Sequence, residues 1–158
     1  GDIEDAKKNL AHALVATGKI RKNLRAIESA VVASAQAAVG DIVGAKKSIA
    51  KALASIEKGV ADDFGAALSI VASSQVAVGD IAGANESVAQ ALNAKESGEG
   101  DERVLQLGFL ASAQAAVGDI GAAKESITQL LAIIGSLKRA SESAIALALI
   151  ASTLAIME

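Results

Sequence analysis

The chain has 158 residues, 52% of them apolar, yet its only aromatics are Phe64 and Phe109, and it contains no Pro, Cys, Trp or Tyr. Without Cys there is neither a disulfide nor a thiolate metal site, and a net charge of −3 argues against the electrostatic footprint of a nucleic-acid binder. With no Pro to interrupt them, and with Ala-rich segments of about 15 residues between Gly-containing breaks, the side chains predict an all-α protein.

The tripeptide Gly-Asp-Ile stands at residues 1, 40, 79 and 118, always 39 residues apart. A strict period of this length marks a repeat architecture in which each unit buries its apolar face only by stacking on its neighbours. The period divides a single repeat domain, 1–158, into units 1–39, 40–78, 79–117 and 118–156, with two helices in each and about eight in all.

The first helix of each unit starts after the tripeptide. Asp2, Asp41, Asp80 and Asp119 take the place of an N-cap carboxylate, and Gly40, Gly79 and Gly118 that of the left-handed residue ending the helix before. In unit one the apolar stripe is Ile3, Ala6, Leu10, Ala13 and Leu14. The only histidine, His12, falls on this helix with no second His or Cys to share a metal, so it reads as a solvated surface residue. The basic cluster Lys19, Arg21, Lys22 and Arg25 in and just after the connector has no interleaved aromatics for base stacking. The second helix runs through Val31 to Val39 and is apolar nearly all round, so it needs cover on several sides, as an inner helix does.

Unit two repeats the pattern with Ile42, Ala45, Ile49, Ala52 and Leu53 on one stripe and Lys46, Lys47 and Lys51 off it: an outer helix with one face in solvent. After a connector at 57–63, whose Asp62 and Asp63 are placed for capping rather than acid-base work, the inner helix passes through Val71 to Val78. Unit three has Ile81, Ala84, Val88, Ala91 and Leu92 on the stripe, with Asn85, Glu86 and Gln90 outside it. Its connector carries Glu99, Asp101 and Glu102, again in capping positions, and its Gly98-Glu-Gly100 lacks the Lys-Ser/Thr of a phosphate loop. The inner helix follows through Leu110 to Val117. In unit four a connector at 135–140 leads into residues 144–157, which carry no charge; at 14 residues that run is shorter than the roughly 20 needed to span a bilayer.

These residues resemble the tetratricopeptide repeat. The likeness rests on Ala33, Gly40-Asp41, Ala45, Ile49 and Ala52-Leu53, recurring as Ala72, Gly79-Asp80, Ala84, Val88 and Ala91-Leu92, and as Ala111, Gly118-Asp119, Ala123, Ile127 and Leu130-Leu131. It covers the whole chain. The unit is 39 residues rather than 34, Gln36, Gln75 and Gln114 hold the places of bulky aromatics, and the closing Pro is missing. The resemblance implies a right-handed α-solenoid of four two-helix repeats that binds proteins in a concave groove of inner helices. Family members that grip a peptide carboxylate line that groove with Lys, Arg and Asn. The matching positions here are Ala30, Ser34, Ala37, Ser69, Ser73, Val76, Gly108, Ser112 and Ala115, which argues against such a clamp. The recurring Ser34, Ser73, Ser112 and Ser152, with the Gln series, are set either to form a polar ladder for a ligand or to bond packed helices to one another. The second reading weighs more, because these positions answer to the repeat's own geometry.

The chain opens on an outer helix and closes on an inner one. Terminal solenoid units turn a polar face outward, whereas the last helix offers Ile145, Leu149, Ile150, Leu154 and Met157. Three covers are open: the continuation of a longer array, a different protein, or the first helix of another copy through Ile3, Ala6, Leu10 and Leu14. The third makes a head-to-tail contact that closes a ring or propagates a filament. Residues 1–60 carry a net +4 and the remainder −7, which points the same way. The sequence thus predicts a non-catalytic protein-interaction scaffold without cofactor or metal, whose partner is another copy of itself, with no nucleic acid and no membrane span.

Overall fold

The computed structural model describes residues 25–58, 64–94, 101–134 and 140–157. They form seven α-helices and no strand: α1 (Arg25–Ala38), α2 (Ile42–Glu57), α3 (Phe64–Ala77), α4 (Ile81–Asn93), α5 (Asp101–Ala116), α6 (Ile120–Ile134) and α7 (Ala140–Ile156). The helix expected in residues 2–17 lies outside the described residues, as do the connectors with Asp62, Asp63 and Glu99.

Three tight corners join the helices into hairpins, and the repeated Gly-Asp makes each of them. Gly40, Gly79 and Gly118 have φ of 80°, 81° and 88°, a left-handed conformation that favours glycine. Around Gly40 the Asp41 N–H donates to the Gln36 carbonyl at 2.8 Å and the Gly40 N–H to Ala37 at 3.0 Å, closing α1. The Asp41 carboxylate then accepts from the Gly44 N–H at 2.9 Å, Asp80 from Gly83 at 3.0 Å and Asp119 from Ala122 at 3.0 Å, starting the next helix. One dipeptide therefore stops one helix and starts another within a single turn.

The hairpins are α1 with α2, α3 with α4, and α5 with α6; α1, α3, α5 and α7 also pack on one another in sequence, as an inner row. Each outer helix leans on the inner helix that follows its own hairpin, but no Cα of α2 approaches α4, or of α4 approaches α6, within 8 Å. Contacts between neighbours in this order fit a helical bundle or repeat. The outer helices bury one stripe each, Ala45, Ser48, Ile49 and Ala52 in α2 and its counterparts in α4 and α6, while Lys46, Lys47, Lys51, Asn85, Glu86 and Gln90 stay exposed. Residues Gly65 to Ala72 of α3 are all buried, as expected for a helix covered on several sides.

The core follows the same rhythm. Ala30 and Ala33 of α1, Ile49 and Ala52 of α2, and Ile70 and Val71 of α3 form one cluster. Leu68, Ala72, Ala84, Val88, Ala91, Leu110 and Ala113 form the next, joining α3, α4 and α5. The third gathers Val104, Leu107, Ala111, Ile127, Leu130 and Ile150 from α5, α6 and α7. Each cluster thus belongs to a hairpin and the inner helix after it, so no hairpin is complete alone. Small residues let the inner row close up: a methyl on Gly108 would stand 3.0 Å from Cβ and 3.2 Å from Cγ of Leu149.

Candidate interaction surface

The Gln series is structural. Gln36, Gln75 and Gln114 are buried at the ends of the inner helices, and each side-chain oxygen accepts a hydrogen bond from a serine 12 residues on: Ser48 at 2.6 Å, Ser87 at 2.7 Å and Ser126 at 2.7 Å. These bonds tie each inner helix to its outer partner. The recurring serines of the inner helices bond locally too, Ser73 to the Ser69 carbonyl at 3.3 Å and Ser112 to that of Gly108 at 3.1 Å. Of the positions matched to a concave groove, Ala30, Ser69, Gly108 and Ala115 are buried, because consecutive inner helices meet there; Ser34 is exposed, and Ala37, Ser73, Val76 and Ser112 are half-buried.

The last helix departs from the strict period by one residue. Ser74 of α3 is fully buried, bonds back to the Ile70 carbonyl at 2.9 Å and faces Ala30 of the previous inner helix. Thr153 of α7 is its counterpart: it is fully buried, bonds back to the Leu149 carbonyl at 2.8 Å, and stands 2.7 Å from the Ser112 hydroxyl of α5. In α5 that place belongs to Ala113, also fully buried, which lies 40 residues before Thr153 rather than 39. The same shift matches Ile150 to Leu110, both buried.

This register identifies the open face of α7. In α5, Leu107, Ala111 and Gln114 lie on the side covered by α6 and are 2%, 1% and 2% exposed. Their counterparts in α7 are Leu147, Ala151 and Leu154. Leu147 is 53% exposed, Leu154 47%, and Ala151 is exposed as well. Among the described residues nothing plays toward α7 the part that α6 plays toward α5.

Of the side chains expected at an end-to-end contact, Leu154 is open, Met157 half-buried, and Leu149 half-buried against Gly108. Ile150 points into the core cluster with Val104 and Leu130 instead. Ile3, Ala6, Leu10, Leu14, His12 and the side chain of Ile145 lie outside the described residues. Leu147 was not singled out by the sequence, because a helix apolar on all sides gives periodicity no face to report.

Two clefts lie along the outer row. One, about 520 Å³, has Lys46, Ile49, Ala50 and Leu53 of α2 on one side and the Val78-Gly79-Asp80 corner on the other. The second, about 370 Å³, is lined by Leu92 of α4, Arg103, Leu107 and Gln114 of α5, and Glu125 and Ser126 of α6. Among the described residues no group of three His, Asp or Glu is placed to hold a metal ion, and no helix is long and apolar enough to cross a membrane. No protein-family model, curated protein or solved structure matches the chain.

Proposed function

We propose that the chain is a non-catalytic protein-interaction scaffold, a tetratricopeptide-like, right-handed solenoid of four units, that associates head to tail with copies of itself. The observation that carries this reading is the face of Leu147, Ala151 and Leu154, open on α7 where the same face of α5 is closed by α6. What fits such a face is an outer helix. Residues 2–17 of a second copy have the required stripe: Ile3, Ala6, Leu10, Ala13 and Leu14 stand in the places of Ile120, Ala123, Ile127, Leu130 and Leu131, of which Ala123, Ile127 and Leu130 are buried in α6. Covering a leucine fully is worth about 1.5–3 kcal/mol, so the open leucines supply a substantial part of a specific contact.

The contact is heterologous, which gives the test its form. Leu154→Lys spoils the α7 face and Leu10→Lys the opposing stripe. Sedimentation and light scattering over a concentration series should show oligomers, rings or fibres for the unaltered chain and monomers for either variant. An equimolar mixture of the variants should stop at dimers, since one good face of each kind remains. A chain monomeric at high concentration would refute self-association and leave the face to a helix of another protein or of a longer array.

A further inference from the structure

Two buried glutamines of α5 each have one hydrogen-bonding end left over, and both line the cleft of about 370 Å³ that runs along α5 between α4 and α6. Gln106 and Gln114 are 6% and 2% exposed. The Gln106 oxygen accepts from Arg103 Nη1 at 3.2 Å and the Gln114 oxygen from Ser126 at 2.7 Å. Neither side-chain nitrogen has a partner among the described residues, yet every described side-chain nitrogen or oxygen sealed from solvent does have one. Both amide nitrogens are therefore open to solvent, and the cleft is the opening that the two side chains share. A donor sheltered this far from water is costly until something accepts from it.

Both donors trace to departures from the repeat. At the first two corners the glutamine nitrogen lies over a glycine beside the capping aspartate: a Cβ on Gly44 would stand 2.5 Å from Gln36 Nε2, and one on Gly83 2.6 Å from Gln75 Nε2. At the third corner that glycine is replaced by Ala122, whose methyl denies Gln114 the same seat and leaves its amide to the cleft. Gln106 stands where α1 has Glu28 and α3 has Ala67. Gly65 of α3 makes room for it, since a Cβ there would stand 3.1 Å from Gln106 Cδ. The place of Phe64, which packs with Leu53 and Ile56 onto the core, is held in α5 by Arg103 as it is in α1 by Arg25, so no aromatic ring fills the space over α5.

We propose that this cleft binds an extended peptide segment, whose main-chain carbonyls accept from Gln106 and Gln114 while one apolar side chain lies on Leu92, Leu107 and Leu110. The two glutamines are eight residues apart, about 12 Å along the helix. That is close to the spacing of about 13 Å between carbonyls four residues apart on one edge of an extended chain. A helical occupant spends its carbonyls on itself and would leave both donors unpaired. Charge does not select the ligand, because the lining holds one cation, Arg103, and one anion, Glu125; neither an acidic segment nor a phosphate is favoured. This site is separate from the face of α7 and does not depend on self-association.

The test uses the full chain with Leu154→Lys, so that oligomerisation does not affect the readout. The probe is an acetylated, amidated hexapeptide of serine and alanine with one central leucine. In nitrogen–proton correlation spectra the side-chain amides of Gln106 and Gln114, assigned by their loss in Gln106→Ala and Gln114→Leu, should shift saturably as peptide is added up to millimolar concentration. Gln106→Ala, which copies Ala67, should weaken binding about fivefold, the worth of one hydrogen bond. Ala122→Gly, which copies Gly44 and Gly83, should do the same by drawing Gln114 back toward Asp119. Arg103→Phe, which copies Phe64, should fill the cleft and abolish binding. Salt between about 50 and 300 mM should change the affinity less than about twofold. Absence of saturable shifts overturns the proposal, as does binding undiminished in Arg103→Phe or indifferent to both Gln106→Ala and Ala122→Gly. A steep fall with salt, or equal affinity for the same peptide locked as a helix, overturns it equally.

Discussion

The Gln75–Ser87 bond offers a quantitative test of how an outer helix is fixed to its partner. Ser87 Oγ donates to Gln75 Oε1 at 2.7 Å, with Gln75 4% and Ser87 3% exposed. The two single deletions should not cost the same. After Gln75→Leu, the Ser87 hydroxyl can turn to a carbonyl of its own helix, as Ser74 and Thr153 do, and the loss should be about 1 kcal/mol. After Ser87→Ala, the buried Gln75 oxygen keeps no donor, and the loss should approach about 2 kcal/mol. The double variant removes both polar groups, so it should be less destabilised than the sum by about 1 kcal/mol. Guanidinium unfolding followed by circular dichroism measures all four corners of the cycle, and each kcal/mol should lower Tm by about 2–4 °C in a chain of this size. Strict additivity, or a Gln75→Leu protein as stable as the parent, would show that the bond does not couple the helices.

The approach of α7 to α5 should be sensitive to a single methyl. Gly108→Ala meets Leu149 and should destabilise by about 1–3 kcal/mol before a helix-propensity gain of up to about 1 kcal/mol; on a Leu149→Ala background, which removes Cγ and Cδ1 but keeps Cβ, the same change should cost distinctly less, and an undiminished cost in thermal denaturation would refute the contact. Glu28 of α1 has its pKa raised above the ordinary value of 4.5, chiefly by desolvation and partly offset by Arg25. The folded state therefore holds this proton more tightly, so its contribution is favourable at low pH and is lost as pH rises through the raised pKa. Glu28→Gln should accordingly gain stability relative to the parent on going from pH 4 to pH 7, and parallel pH profiles of the two proteins would contradict that.

Much of the scaffold was legible in the residues themselves. Gly79 and Asp80 announce a stop and a start because few other residues accept a left-handed φ or cap a helix so well, and the stripe Ala84, Val88 and Ala91 is buried as its spacing implies. The role of the glutamines was harder to see. They look like missing aromatics until Ser48, Ser87 and Ser126 are seen to share their period, and hydrogen bonding across a corner leaves no other trace in sequence. The one-residue shift of α7 was hidden for a different reason. Ile150 and its neighbour Leu149 are both large and apolar, so either satisfies the pattern, and only the burial of Thr153 against Ser112 fixes which of them turns inward.

The backbones of successive outer helices stand apart while the inner row is continuous. Each gap therefore has walls of its own, and a change of charge on one helix alters the gaps beside it without disturbing the stack beneath. The inner row works as a spine and the outer row as interchangeable teeth, so lengthening the array by a unit would add a new gap and leave the composition of the existing ones intact. An architecture of this kind can vary its outer surface one helix at a time.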